Sequence, residues 1–152
     1  MIRASDAMLN AMLDGGSGGG VKGGLDACLC AIYAGAQPAS ANDGATGVLL
    51  GTMSVDGDGT TGMTWDAAVA GVISKAAAEN WRVTWAAAGV AGWFRFYAPG
   101  DTISADDATK CRVDGSCGTS GADMNLTNLQ TVIGRVDTVD GFILTLPPGS
   151  GV

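Results

Sequence analysis

The sequence predicts a mainly β fold, an antiparallel β-sandwich of jelly-roll or immunoglobulin-like type, preceded by a short N-terminal helix and a glycine-rich hinge. Three observations predict it. Short apolar segments alternate with period two, as in Trp81-Arg82-Val83-Thr84-Trp85, which is the pattern of a half-buried strand. Glycine, aspartate and asparagine clusters punctuate these segments at spacings of roughly 8 to 15 residues, the rhythm of an all-β sandwich or barrel. The chain has 152 residues, a length that buries about 70% of the unfolded surface in one domain without metals or disulfides.

The elements follow in order. Ser5 to Leu13 predicts a helix: Ser5 or Asp6 can cap its first amides, Met8, Leu9, Met12 and Leu13 recur on one side, and Asp14-Gly15-Gly16 ends it. A helix of two to three turns is marginal alone, so its apolar stripe must dock on its own domain or on a partner. Gly15 to Gly24, with seven glycines and one serine, reads as a flexible hinge because ordering so much glycine is entropically costly. The expected division is therefore an arm over 1–24 and a sandwich over 25–152, with Met8, Leu9, Met12 and Leu13 as the protein-interface candidates.

Extended segments are predicted at Ala27–Ala34, Val48–Val55, Thr60–Asp66, Val69–Ser74, Trp81–Ala86, Gly92–Ala98, Lys110–Val113, Gln130–Val139 and Phe142–Leu146. Gly92–Ala98 carries aromatics on both faces, as a central strand would, and stops at Pro99-Gly100. Phe142–Leu146 stops at Pro147-Pro148, since proline cannot donate to a ladder. Between Ile73 and Asn80, the run Lys75-Ala76-Ala77-Ala78-Glu79 suits either one helical turn or a loop.

Composition excludes several functions. Eight basic residues stand against fifteen acidic ones, for a net charge of −7. Only Lys110 and Arg112 lie close together, and nucleic-acid binding by counterion release needs clustered cations, so no nucleic acid is expected as partner. No run of 18 apolar residues spans a bilayer, and Met1-Ile2-Arg3-Ala4-Ser5-Asp6 lacks the basic and apolar regions of a signal peptide. No membrane association is expected. Charged residues make up only 15% of the chain, against about 25% in a typical soluble protein, and so sparsely charged a surface suits a molecule packed against neighbours.

The four cysteines are spaced as Cys28 and Cys30 in one apolar run and Cys111 and Cys117 about Asp114-Gly115, read as a turn. Neither spacing is a CxxC pair, so core thiols in a reducing compartment are expected. A Cys111 to Cys117 disulfide is conceivable and depends on the Cα separation.

The candidate chemistry is sparse. The chain has no histidine, and no nucleophile stands near a base in any familiar arrangement, so neither an enzyme, a cofactor nor a metal is expected. Lys22 in the glycine-rich segment follows Val21 without a GK[ST] string, which excludes a P-loop. Asp56-Gly57-Asp58-Gly59-Thr60 has Ala67 where an EF-hand needs its twelfth-position carboxylate, and reads as a turn. Asp106-Asp107 and the pair Asp137 and Asp140 read as loop carboxylates. The aromatics Trp81, Trp85, Trp93, Phe94, Phe96 and Tyr97 fit a packed core, with a sugar- or base-stacking platform as the alternative.

A resemblance is carried by Arg3-Ala4-Ser5-Asp6-Ala7-Met8-Leu9-Asn10-Ala11-Met12-Leu13-Asp14, Ile32-Tyr33-Ala34-Gly35-Ala36-Gln37-Pro38, Ala87 to Tyr97, Asp114 to Met124 and the terminal Phe142 to Pro147 run. In this order of segments the chain resembles small β-sandwich virion structural proteins of tailed bacteriophages, of the head decoration or cement type. The resemblance implies a capsid decoration or cement protein that stabilises the shell. Its implied partners are the major capsid protein or other virion proteins, in a homo-oligomer or multi-copy assembly, and its implied location is the virion, assembled in the host cytoplasm. The alternatives are a neck, tail or fibre-adaptor component and a glycan-binding module. The Gly18-Gly19-Gly20 expansion after the first helix departs from the pattern.

Overall fold

The computed structural model describes residues 1–14, 20–70 and 72–145, except for the side chains of Ala11, Leu13 and Asp14. Its first elements are β1 (Arg3–Ala4), α1 (Asp6–Asp14), α2 (Gly20–Gly24), β2 (Leu29–Ala34) and β3 (Leu49–Val55). There follow β4 (Val72–Ser74), β5 (Trp81–Trp85), β6 (Gly89–Tyr97) and β7 (Arg112–Gly118). The short strands β8 (Met124–Asn125), β9 (Gln130–Thr131), β10 (Val136–Val139) and β11 (Ile143–Thr145) complete the described chain. The molecule is mainly β, and its strands pair antiparallel except β7 with β8.

One large sheet runs β1-β7-β6-β2-β3-β5-β10, with β8 added to β7 and β9 to β6, while β11 and β4 form a separate two-stranded sheet. In the large sheet β6 and β5 are three strand spacings apart, about 14 Å if the sheet were flat. The Phe96 and Trp81 rings they carry nevertheless lie 6.2 Å apart between centroids. The sheet therefore coils around these side chains, as the right-handed twist of strands allows.

Register decides what lies on each face. Cys30 pairs with Phe96 and Met53, Ile32 with Phe94, and Met53 with Val83, so these side chains share the concave face. That face holds the main core, closed from above by Trp65 and Phe142. Trp65 meets Trp81 edge-on at 5.0 Å and Phe96 at 5.4 Å, and Phe142 meets Phe96 at 5.2 Å and Phe94 at 5.7 Å. Such edge-to-face contacts contribute beyond the area they bury. Two indoles of this core are answered, Trp65 Nε1 donating to the Leu25 carbonyl at 3.1 Å and Trp81 Nε1 to Glu79 Oε2 at 2.8 Å, whereas Trp93 Nε1 on the other face is buried without a partner among the described residues.

The opposite face is buried by different means. Ala31, Tyr33 and Trp93 form a second small cluster, with Tyr33 stacked on Trp93 at 4.6 Å. Beside it Arg95 grips Asp114 with two 2.8 Å bonds, and Arg112 grips Asp101 with two 2.7 Å bonds. All four side chains are almost completely buried. The spare guanidinium donors reach backbone carbonyls of Ile103 and Ala105, each at 3.1 Å. The two ion pairs thereby tie the 99–107 loop down over the sheet.

Ser5 caps α1 as expected: its Oγ accepts from Met8 N–H at 3.2 Å, and it also donates to the Lys110 carbonyl at 2.6 Å. The sequence set 1–24 apart as an arm, yet β1 pairs with β7 and Met8 is only 1% exposed in the main core. The helix packs on its own domain because burial of Met8 removes apolar surface from water, while the desolvation of the Ser5 hydroxyl is offset by its bonds with Met8 N–H, Arg112 N–H and the Lys110 carbonyl. Of the predicted hinge, 15–19 lie outside the described residues, and the rest is helix α2. Val21 packs on the core, Lys22 Nζ donates to the Trp65 carbonyl at 2.7 Å, and these anchors offset the glycine entropy. Gly24 packs closely against Met8, since a Cβ there would stand 3.1 Å from Met8 Cε.

Asp114-Gly115, read as a turn, lies in the middle of β7. Asp114 is held by Arg95, and Gly115 lies under Phe94, where a Cβ would come within 2.5 Å of Phe94 Cζ. The predicted Lys110–Val113 strand is thus the start of a longer one, and Gln130–Val139 divides into β9 and β10 about a left-handed Gly134. Thr60–Asp66 contributes isolated bridges at Met63 and Trp65 in place of a strand. Residues 75–80 form no helix, because Glu79 is drawn back to Thr64. Leu146 and the two prolines after it lie outside the described residues.

Glu79 makes the fold sensitive to acid. Partial burial pushes its carboxyl up, but bonds from Thr64 N–H and Oγ1, the Trp81 indole and the charge of Lys75 outweigh this and hold it below the ordinary range. A depressed carboxyl contributes stability that is present above its unfolded value of about 4.3 and lost as pH falls through the folded value. The melting temperature is expected to be level from neutral pH down to about 5 and to fall below about 4. Glu79→Gln should lower it at neutral pH and flatten that acid limb, and 1 kcal/mol corresponds to about 2–4 °C at this size.

Candidate functional site

An apolar groove of about 730 Å³ opens between the helical pair and the small sheet. Ile2, Leu9, Met12, Val21, Ile143 and Leu144 give it its apolar character. The geometry follows from the first turn of the helix. Capping by Ser5 turns Met8 inward against Gly24; Leu9 then lies 100° around the helix from Met8, and Met12, one turn on and only 40° from it, extends the same stripe past the core edge to the groove mouth. Leu9 is 45% exposed, Met12 37% and Ile143 61%. A contiguous exposed patch of large side chains in one concavity is the kind of surface that binds another molecule.

The rim charges of the groove are already engaged. Lys22 is bound to the Trp65 carbonyl, and Asp123 accepts from Ser116 N–H at 2.9 Å and Ser116 Oγ at 2.7 Å. The groove therefore offers apolar contact rather than acid, base or nucleophile.

Of the four predicted interface residues, the structure brings Leu9 and Met12 together at the groove mouth. Met8 lines its floor as a core residue, and the side chain of Leu13 lies outside the described ones. The aromatic set went inward: Trp81, Trp85, Trp93, Phe94 and Phe96 are buried and Tyr97 half-buried. Cys28 and Cys30 are buried, Cys111 and Cys117 half-buried, and all four are free thiols. Burial pushes Cys28 and Cys117 up to about 12, which leaves both protonated and unreactive near neutrality. Among the described residues, no three side chains of metal-ligand type come together. Asp58 closes its own turn through Thr60 and Thr61 N–H, each at 2.8 Å, and Asp107 closes another through Thr109.

Sequence reasoning missed Ile2 and Ile143 as groove residues, and also the two buried ion pairs. The signal for the pairs was present: Arg95 stands between aromatics in a strand buried on both faces, and Arg112 and Asp114 alternate with Val113. No family model, curated protein or solved structure matches the chain.

Proposed function

We propose that the protein is a structural component of a tailed-phage virion, a capsid decoration or cement protein held in many copies on the outside of the shell. The observation that carries this reading is the exposed apolar groove at Leu9, Met12 and Ile143, built on a helix that is docked on its own domain through Ser5 and Met8. The low charge content, and the resemblance of the segment order to that of small virion proteins, support it. In this reading the helices and the small sheet form the second layer of a sandwich. The groove takes an apolar segment of the major capsid protein or another virion protein.

The mechanism is linkage and involves no turnover. A protein that binds the assembled lattice and not its separated subunits stabilises the lattice by RT ln(1 + [L]/Kd), about 2.7 kcal/mol at one hundred times Kd. Gel densitometry of purified particles tests the reading. Hundreds of copies per particle are expected; a dozen or fewer would place the protein in the neck, tail or fibre adaptor, and none would overturn a virion role.

A further inference from the structure

A second concavity lies at the far edge of the large sheet. It is a cleft of about 530 Å³ between β10 and the 125–128 loop. Strand β10 pairs with β5 on one side, and among the described residues nothing pairs its other side. Trp85 N–H donates to the Arg135 carbonyl at 3.0 Å. Since ladder bonds alternate along an antiparallel pair, Asp137 and Val139 also bond toward β5, which turns the N–H and C=O of Val136 and Thr138 into the cleft.

The facing wall is fixed and polar. Asn125 Oδ1 accepts from Ala122 N–H at 3.2 Å, and Asn128 Oδ1 accepts from Gln130 N–H at 2.9 Å. Their amide NH2 groups thus have no partner among the described residues. At the strand, Asp137 is satisfied by Trp85 Nε1 at 2.7 Å and Arg135 Nη2 at 2.6 Å, whereas Asp140 is exposed and unpaired among the described residues. With Arg135 and Asp137 offsetting each other, the cleft keeps one negative charge.

We propose that this cleft accepts one extended, basic segment of a partner polypeptide, which adds to β10 as an antiparallel or parallel strand. The unpaired backbone groups of Val136 and Thr138 call for main-chain hydrogen bonds, the basis of recognition by strand addition. The 125–128 wall stands where a neighbouring sheet would continue, which selects a lone strand over the sheet edge of a second copy. Asp140 selects the positive charge. The inference does not rest on the virion reading, since the groove at Leu9 and Met12 is a separate surface.

The probes are an N-acetylated, C-amidated Lys-Val-Thr-Val-Lys peptide, its glutamate-flanked counterpart, and the lysine peptide with its central amides N-methylated. Amide resonances of the intact protein report binding. The lysine peptide is expected to shift Val136, Thr138 and the Asn125 and Asn128 side-chain amides. The glutamate peptide should bind about tenfold more weakly, a preference that Asp140→Asn should reduce. N-methylation should abolish binding. Thr138→Pro should weaken it about tenfold while leaving the melting temperature in place, because that N–H bonds nothing in the free protein. The proposal is overturned if neither charged peptide shifts these resonances at millimolar concentration, if the N-methylated peptide binds equally, or if the shifts map to Leu9 and Met12. A dimer in sedimentation that Thr138→Pro dissolves would overturn it in favour of a second copy.

Discussion

Asp114→Ala is expected to cost about 3–5 kcal/mol, the usual penalty for leaving one member of a buried ion pair without its partner. The domain's whole margin is about 5–15 kcal/mol, so much of the variant should be unfolded or degraded. The reason lies in Arg95, which is fully buried and would lose both of its 2.8 Å bonds. Burial pushes the Asp114 carboxyl up even beside Arg95, so desolvation offsets much of the attraction within the pair. Removing both charges should therefore be milder than removing one. The double variant Arg95→Met with Asp114→Leu is expected to recover a large part of the loss, as measured by urea midpoints of the three proteins. A double variant as unstable as the single one would show that the pair itself, and not the orphaned charge, carries the stability.

Phe94→Ala should cost a similar amount, about 3–5 kcal/mol, by the loss of transfer energy and the cavity left behind. Phe94 is fully buried, meets Phe96 at 5.5 Å and Phe142 at 5.7 Å, and lies across Gly115. No neighbour can collapse into the hole easily, because the aromatic rings around it are held by the coiled sheet on one side and by Phe142 on the other. Soluble yield and thermal melting check the expectation. An alanine variant that melts like the parent and loses glycan binding would make the ring part of a sugar platform instead.

These two residues also show what could be seen in the sequence. Phe94 was legible as core because its strand carries aromatics on both faces and is bounded by glycine and proline, all of which are local signals. The helix was legible for the same reason, through Ser5 and the spacing of Met8 and Met12. Asp114 was not, because the sequence Asp-Gly is a turn signal whose meaning is reversed by a partner nineteen residues earlier in the chain. The segment at Gly24 follows the same logic: glycine content marks a hinge unless distant contacts anchor it, here Val21 on the core and Lys22 on the Trp65 carbonyl. The groove lay between these cases. Leu9 and Met12 are visible as one stripe with Met8, but which of them faces the core depends on where Ser5 is tied, and that is set by Lys110 and Arg112 across the fold.

The measurement that most directly tests the account is the fate of the double variant Leu9→Gln with Met12→Gln. Both side chains are exposed at the groove, and glutamine forms helix about as well as leucine or methionine, so the melting temperature should stay within the shift of about 0.5 kcal/mol usual for surface changes. Its copy number on purified particles, read by gel densitometry beside the parent, should fall to a small fraction. Undiminished copy number at an unchanged melting temperature would contradict the groove as the site of attachment.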